Sequence, residues 1–144
     1  MEKAISELID ENGFCLAEMP GDGNCFFKAL VHLTKKSSMT ALRKKVAEHL
    51  RTNKEEYVQF FAFTKDHEAE YMKATKAVER SRYWNNQIMD IVIMAMANVI
   101  GASFTIYNVD SEGGVDKYIV AAKETTQHFN LLRTGDNHFD ALEE

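Results

Sequence analysis

Proline is nearly missing from this chain, one residue in 144, and no stretch is rich in glycine and serine, so no linker, low-complexity tract or repeat divides it. A single domain over residues 1–144 is expected. Only two cysteines are present and no Cys/His cluster has zinc spacing. This argues against a disulfide scaffold or structural metal and for a reducing compartment, the cytoplasm first and the nucleus second. No apolar run approaches the roughly 18 residues that cross a bilayer, and the N-terminus does not read as a signal peptide, so no membrane role is expected. Positive charge is scarce too. Seventeen basic against 22 acidic residues leave a net charge of −5, which offers no general attraction to nucleic acid or an anionic membrane. A cationic protein partner fits that balance better. What the chain does have is length enough for a core without staples, since folding at this size hides about 68 to 70% of the extended chain's surface.

Apolar spacing places helices in the first half. Lys3 to Asp10 carries Ile5, Leu8 and Ile9 and is broken by Gly13, after which Phe14 to Met19 resembles a strand. Asn24 to Leu33 reads as amphipathic helix. Ser38 or Thr40 can cap a helix running through His49, with Leu42, Val46 and Leu50 at four-residue spacing on one face. Glu55 to Phe63 and His67 to Val78 add two helical segments. In the second half, Gln87 to Ile100 is almost wholly apolar and stops at Gly101, the pattern of a helix buried on most sides. Strands follow at Ser103 to Tyr107, Lys117 to Ala121 and Phe129 to Arg133. Ser111 to Gly114 forms a turn, and Gly135-Asp136 turns into His138-Phe139-Asp140. The sum is an α/β domain, a central sheet flanked by helices, with the Asn24 helix packed on one side.

That helix starts at a cysteine. In Asp22-Gly23-Asn24-Cys25-Phe26-Phe27-Lys28-Ala29-Leu30, glycine supplies backbone freedom, Asn24 is a favoured N-cap residue and Cys25 falls in the first turn. Unpaired N–H groups and the positive end of the helix dipole favour an anion there, by about 0.3 to 1 kcal/mol in exposed settings. A thiol of ordinary pKa about 8.5 is lowered at such positions, which is the setting a nucleophile needs. Cys15, in Phe14-Cys15-Leu16-Ala17, carries the default reading of a small buried hydrophobe.

A thiol nucleophile requires a base, and the base requires a group that holds its tautomer. Of five histidines, His32 and His49 fall in helices and His67 in a charged segment, each expected to face solvent. His128, ahead of a strand, and His138, after a turn, remain. If residues 138–140 are extended, His138 and Asp140 project to one face and Phe139 into the core. That pairs a base with an adjacent orienter. Asp90 reads as a helix N-terminal charge and Trp84 as partial core.

These residues resemble a known family. The loop from Asp22 to Leu30 is similar to the Asp-Gly-Asn-Cys signature of the ovarian-tumour (OTU) family of cysteine proteases, and His138-Phe139-Asp140 resembles that family's His-(aromatic)-Asp motif. Ala95-Met96-Ala97-Asn98, Phe104-Thr105-Ile106-Tyr107 and Arg43-Lys44-Lys45-Val46 agree with its other segments, so the likeness spans about Phe14 to Leu142. Tyr83-Trp84-Asn85-Asn86 departs from the Trp-Gly that many members carry. The resemblance implies a papain-like fold of the α/β (α+β) class, with a central, mostly antiparallel sheet flanked by helices. It also implies a monomeric deubiquitinase acting on ubiquitin or polyubiquitin chains, or on a ubiquitin-like protein, without cofactor or metal. Cys25 would be the nucleophile, His138 the base and acid, and Asp140 the orienter. Asp22 would have an active-site role, either pinning the loop or meeting the imidazolium. Backbone N–H groups of the Gly23-Asn24-Cys25 loop would hold the oxyanion. Two other readings share the same residues: an OTU-like ubiquitin-binding module without turnover, and a thiol hydrolase with a different substrate. The charged segment from Asn53 to Val78, with Tyr57, Phe60, Phe61, Phe63 and Tyr71, is the expected grip for ubiquitin.

Overall fold

The computed structural model describes every residue except Phe63, Thr64, Gln87 and Asp136. In chain order the elements are α1 (Glu2–Asn12), β1 (Cys15–Ala17), α2 (Cys25–Thr34), α3 (Met39–Thr52) and α4 (Lys54–Tyr57), which runs into a 3-10 turn (Val58–Phe61). Then come α5 (His67–Val78), α6 (Met89–Ile100), β2 (Ala102–Val109), β3 (Val115–Ala121), β4 (Gln127–Thr134) and β5 (His138–Glu143). The strands form one sheet of order β1-β5-β4-β2-β3. β2 and β4 run parallel and the other three pairings are antiparallel, the mostly antiparallel sheet that was expected.

Alternate side chains of the inner strands serve two cores, as the two-residue period of a strand requires. Phe104 and Ile106 of β2, Leu131 of β4, and Phe139 and Ala141 of β5 pack with α2, α3, α5 and α6. Their neighbours Tyr107, Val109, Leu132 and Leu142 point the other way and meet Leu8 of α1 and Phe14. The sheet is therefore the middle layer. Phe26 of α2, fully buried, sits at the heart of the larger core, its ring edge-on to Phe27, Phe104 and Phe139. Ser38 caps α3 by accepting the Ala41 N–H at 3.1 Å, and the helix continues past His49 to Thr52.

Several local expectations change. The strand foreseen over Phe14 to Met19 shortens to Cys15–Ala17, because β1 is an edge strand paired with β5 alone and the Met19 N–H leaves the ladder for the Asp140 carboxylate. Cys15 is exposed rather than buried: strand alternation turns Phe14 and Leu16 toward the α1 core and Cys15 away from it. Glu55 to Phe63 forms one helical turn and a 3-10 turn, with Phe63 outside the described residues. Gln87 and Asp136 also lie outside them, so the apolar helix is described from Met89 and the turn before His138 only in part. His49 is half-buried rather than solvent-facing. Asn53 Nδ2 lies 3.2 Å from His49 Nδ1 and also donates to the His49 carbonyl, which makes Nδ1 the acceptor and leaves the Nε2–H for Tyr57 Oη at 2.8 Å. Burial holds this imidazole below the ordinary histidine range. Among the described residues no helix is long and apolar enough to cross a membrane.

Phe26→Ala should lower folding stability by about 3 to 5 kcal/mol, the cost of emptying a fully packed aromatic site. Urea denaturation measures it. A loss under about 1 kcal/mol would mean that this ring does not organise the core.

Candidate active site

The approach to α2 is built from two short-range ties through Asp22 and from contacts of Gly23 and Asn24 with residues 81 and 82. Asp22 Oδ1 accepts the Asn24 N–H at 3.0 Å, and Asp22 Oδ2 meets Lys28 Nζ at 3.1 Å. The Asn24 N–H and Lys28 together hold this carboxyl below the usual carboxylate range. Gly23 adopts φ 82°, and a Cβ there would lie 2.2 Å from the Arg82 carbonyl oxygen, so both its conformation and its closeness to the 82 backbone require glycine. Asn24 occupies the N-cap position but does not cap. Its backbone is already near-helical, and its buried side chain faces another segment: Oδ1 accepts the Arg82 N–H at 2.6 Å while Nδ2 donates to Ser81 Oγ at 3.2 Å.

Arg43 of α3 completes this loop, and sequence reasoning missed its part. The side chain is 1% exposed, with its guanidinium 4.2 Å from the centre of the Phe27 ring. Nη1 donates to the Val78 carbonyl at 2.8 Å. Nη2 serves the Gly23 carbonyl at 2.9 Å, Asn24 Oδ1 at 2.8 Å and the Tyr83 carbonyl at 3.2 Å. Burial lowers the guanidinium to about 10, leaving it charged at neutral pH. The available signal was its place in α3, on the same buried face as Val46 and Leu50: a charge inside an apolar stripe.

Cys25 is 1% exposed. Its Sγ accepts the Phe139 N–H at 3.4 Å, and the thiol faces the Asn137 carbonyl at 3.7 Å. Burial pushes this thiol up; the Phe139 and Phe26 N–H groups pull it back, while the Asp140 and Asp22 carboxylates add to the rise. The lowering foreseen from the helix terminus is therefore outweighed by burial.

β5 supplies the other groups. His138 Nε2 lies 2.9 Å from Asp140 Oδ1, which also accepts the Met19 N–H at 2.7 Å. An ionised carboxylate only accepts, so the imidazole proton is assigned to Nε2 and Nδ1 carries the lone pair. Nδ1 stands beside the cysteine loop, 3.7 Å from where a Cβ on Gly21 would be. The chain thus brings Cys25, His138 and Asp140 to one place. Asp22 lies on the loop side, where its partners match loop support rather than contact with the imidazole. Because the Asn24 N–H is given to Asp22, Asn24 drops out of the expected oxyanion donors. The N–H groups of Gly23 and Cys25 find no acceptor among the described residues.

The remaining candidates are accounted for elsewhere. His128 is engaged by Ser103 Oγ at 2.5 Å and Thr105 Oγ1 at 2.9 Å, both on β2. Tyr57, Phe61 and Tyr71 are core residues, so the expected aromatic grip between Asn53 and Val78 is largely interior, with Phe60 exposed. Asp90 pairs with Arg133 at 3.1 Å near the start of α6. Trp84 is half-buried and stands edge-on to Phe139. Among the described residues no three His, Cys, Asp or Glu side chains cluster as metal ligands would.

A cysteine opening a helix, packed against a strand that carries a histidine and a carboxylate, is the layout of thiol proteases of mixed α and β structure. Residues 20–131 match the family of OTU-like cysteine proteases, and the chain belongs to that family. A curated relative is the ubiquitin thioesterase otu2 of Schizosaccharomyces pombe, 30% identical over 123 residues; the match covers 81% of this chain and 39% of that protein. The chain therefore spans about two fifths of that relative's length. The fold is shared with the OTU domain of OTUD1, at a TM-score of 0.78 and 12% identity, over 99% of this chain and 93% of that one. It is also shared with the Hazara virus OTU bound to ubiquitin, at a TM-score of 0.65 and 20% identity, over 90% and 80% of the two chains.

Two measurements test the loop. Gly23→Ala should destabilise the fold by about 1 to 3 kcal/mol, from a strained backbone and a clash with the 82 carbonyl. A neutral effect in thermal denaturation would contradict the close approach. Asp22 has a lowered folded-state pKa, so its stabilisation is present above the unfolded value of about 3.9 and is lost as pH falls through the lower folded value. Asp22→Asn should therefore be less stable than wild type at pH 7 and converge with it in strong acid, as read by denaturation across pH.

Proposed function

We propose that this domain is a thiol-dependent deubiquitinase. It would hydrolyse the isopeptide or peptide bond after the C-terminal glycine of ubiquitin, free or in chains, or of a ubiquitin-like protein. Family membership supports the reading, as do the name of the yeast relative and the ubiquitin bound to the Hazara virus neighbour. The observation that carries it is the His138–Asp140 contact of 2.9 Å on the strand whose Phe139 N–H touches Cys25 Sγ.

In this mechanism the thiol turns from the Asn137 carbonyl, and His138 Nδ1 takes its proton. Sγ attacks the carbonyl carbon of the terminal glycine, and the π electrons move onto oxygen. The N–H groups of Cys25 and Gly23 hold that oxyanion, each such donor being worth about 10²- to 10³-fold in rate. Collapse breaks the C–N bond, His138 returns its proton to the leaving amine, and a thioester remains. Water then attacks the thioester, giving its proton to His138. Collapse of the second oxyanion releases the glycine carboxylate and restores the thiol. Asp140 stays ionised throughout, accepting the Nε2–H and the Met19 N–H. Every group comes from one chain, so a monomer suffices.

A ubiquitin carrying a C-terminal electrophile tests the proposal. The expected result is a mass increase of one ubiquitin, abolished in Cys25→Ala and retained in Cys15→Ser. His138→Ala should lower turnover by about 10² to 10⁴. His128→Ala should leave most of it, and Asp140→Asn should cost less than Cys25→Ala because an amide oxygen still accepts the Nε2–H. Failure of every ubiquitin and ubiquitin-like probe to label the protein would favour a binding module without turnover.

A further inference from the structure

Arg43 is a buried cation that forms no ion pair among the described residues. Its four acceptors, the Val78, Gly23 and Tyr83 carbonyls and Asn24 Oδ1, are all neutral. An apolar side chain at this place in α3 would avoid the desolvation of a charge, and the buried Nε–H has no partner among the described residues. What the guanidinium does that an apolar residue cannot is join three separate segments: the cysteine loop, the end of α5 and the chain at Tyr83. Its planar fork suits that task, whereas an ammonium is a single point of charge.

The Gly23–Asn24 peptide is gripped at both ends. Its carbonyl accepts from Arg43 Nη2 at 2.9 Å and its N–H donates to Asp22 Oδ1 at 3.0 Å. In a trans peptide the two groups point in opposite directions, so these contacts together fix the plane and prevent its rotation. Asn24 extends the grip, since the Oδ1 that Arg43 holds also binds the Arg82 N–H at 2.6 Å. The next peptide N–H is that of Cys25.

We propose that Arg43 is a positioning residue for catalysis: together with Asp22 it locks the Gly23–Asn24 peptide plane, and so keeps the flanking Gly23 and Cys25 N–H groups aimed at the oxyanion. The inference rests on Cys25 acting as the nucleophile proposed above. The lock itself is a property of the free protein and is tested without substrate.

Amide hydrogen exchange on the wild-type protein is the first arm. The Asn24 N–H should be protected about tenfold or more over a free loop amide, and an unprotected Asn24 would overturn the lock with no variant made. Arg43→Lys is the second arm, retaining the charge and most of the stem. The Asn24 protection should fall while the Leu30 and Val46 amides stay protected. On a ubiquitin C-terminal fluorogenic amide, kcat should drop about 10²-fold or more with KM within about threefold, and alkylation of Cys25 by iodoacetamide, which forms no oxyanion, should change less than about threefold. Wild-type kcat in Arg43→Lys overturns the proposal, and so does a fall in kcat matched by lost protection throughout the core. If wild type itself does not turn over the ubiquitin substrate, the proposed function fails, and the exchange measurements still decide the lock.

Discussion

The contact between the start of α2 and the start of β5 is the constraint on which the rest of this structure depends. Phe26 and Phe139 meet edge-on with ring centroids 5.3 Å apart, and the N–H of the same Phe139 reaches Sγ of Cys25, the residue before Phe26, at 3.4 Å. Core packing and chemistry thus share one junction. Alternation along β5 does the sorting: Phe139 points into the apolar core, while His138 and Asp140 on either side turn the other way, His138 beside Gly21 of the cysteine loop and Asp140 to the Met19 N–H. Aromatic packing of this kind fixes position to a fraction of a side-chain width, which hydrogen bonds among exposed groups could not do.

The electrostatics of the site run against a simple helix-terminus account. A cysteine in the first turn of a helix gains from free N–H groups, yet full burial removes more than those groups return, and the carboxylates of Asp140 and Asp22 add to the deficit. In the mechanism proposed above, activation therefore falls to the imidazole. Asp140 prepares it by occupying Nε2, and the Met19 N–H keeps that carboxylate in place. Nearby, Asp22 and Arg43 act on the backbone of the cysteine loop, one accepting the Asn24 N–H and the other donating to the Gly23 carbonyl.

Much of this was legible in the sequence. The glycine-rich approach to Cys25 and the His-Phe-Asp spacing marked the residues that the fold brings together, because local periodicity decides which face a side chain takes. Helices α3 and α6 were legible for the same reason. What stayed hidden depends on partners distant along the chain. Asn24 looked like a cap, since nothing local shows that Arg82 and Arg43 claim its side chain. Cys15 looked buried, because an edge position cannot be read from a short apolar run. The aromatics of α4 and α5 read as well for a surface as for a core until the sheet and α6 were in place behind them. His49 had the same ambiguity, resolved only by Tyr57.

The strand order carries a consequence for how the site comes into being. β5 is last in sequence but lies between β1 and β4 in the sheet, with partners on both edges. Its pairing with β1 spans more than a hundred residues, Cys15 opposite Glu143 and Ala17 opposite Ala141. Contacts of such sequence separation require loop closure before they contribute stability. The cysteine of α2 rests on local helical contacts, whereas the place of the histidine rests on these distant ones. Until β5 pairs on both edges, Cys25 lacks the Phe139 N–H that meets its sulfur and Asp140 lacks the Met19 N–H, so the geometry of the candidate site depends on contacts that span nearly the whole sequence.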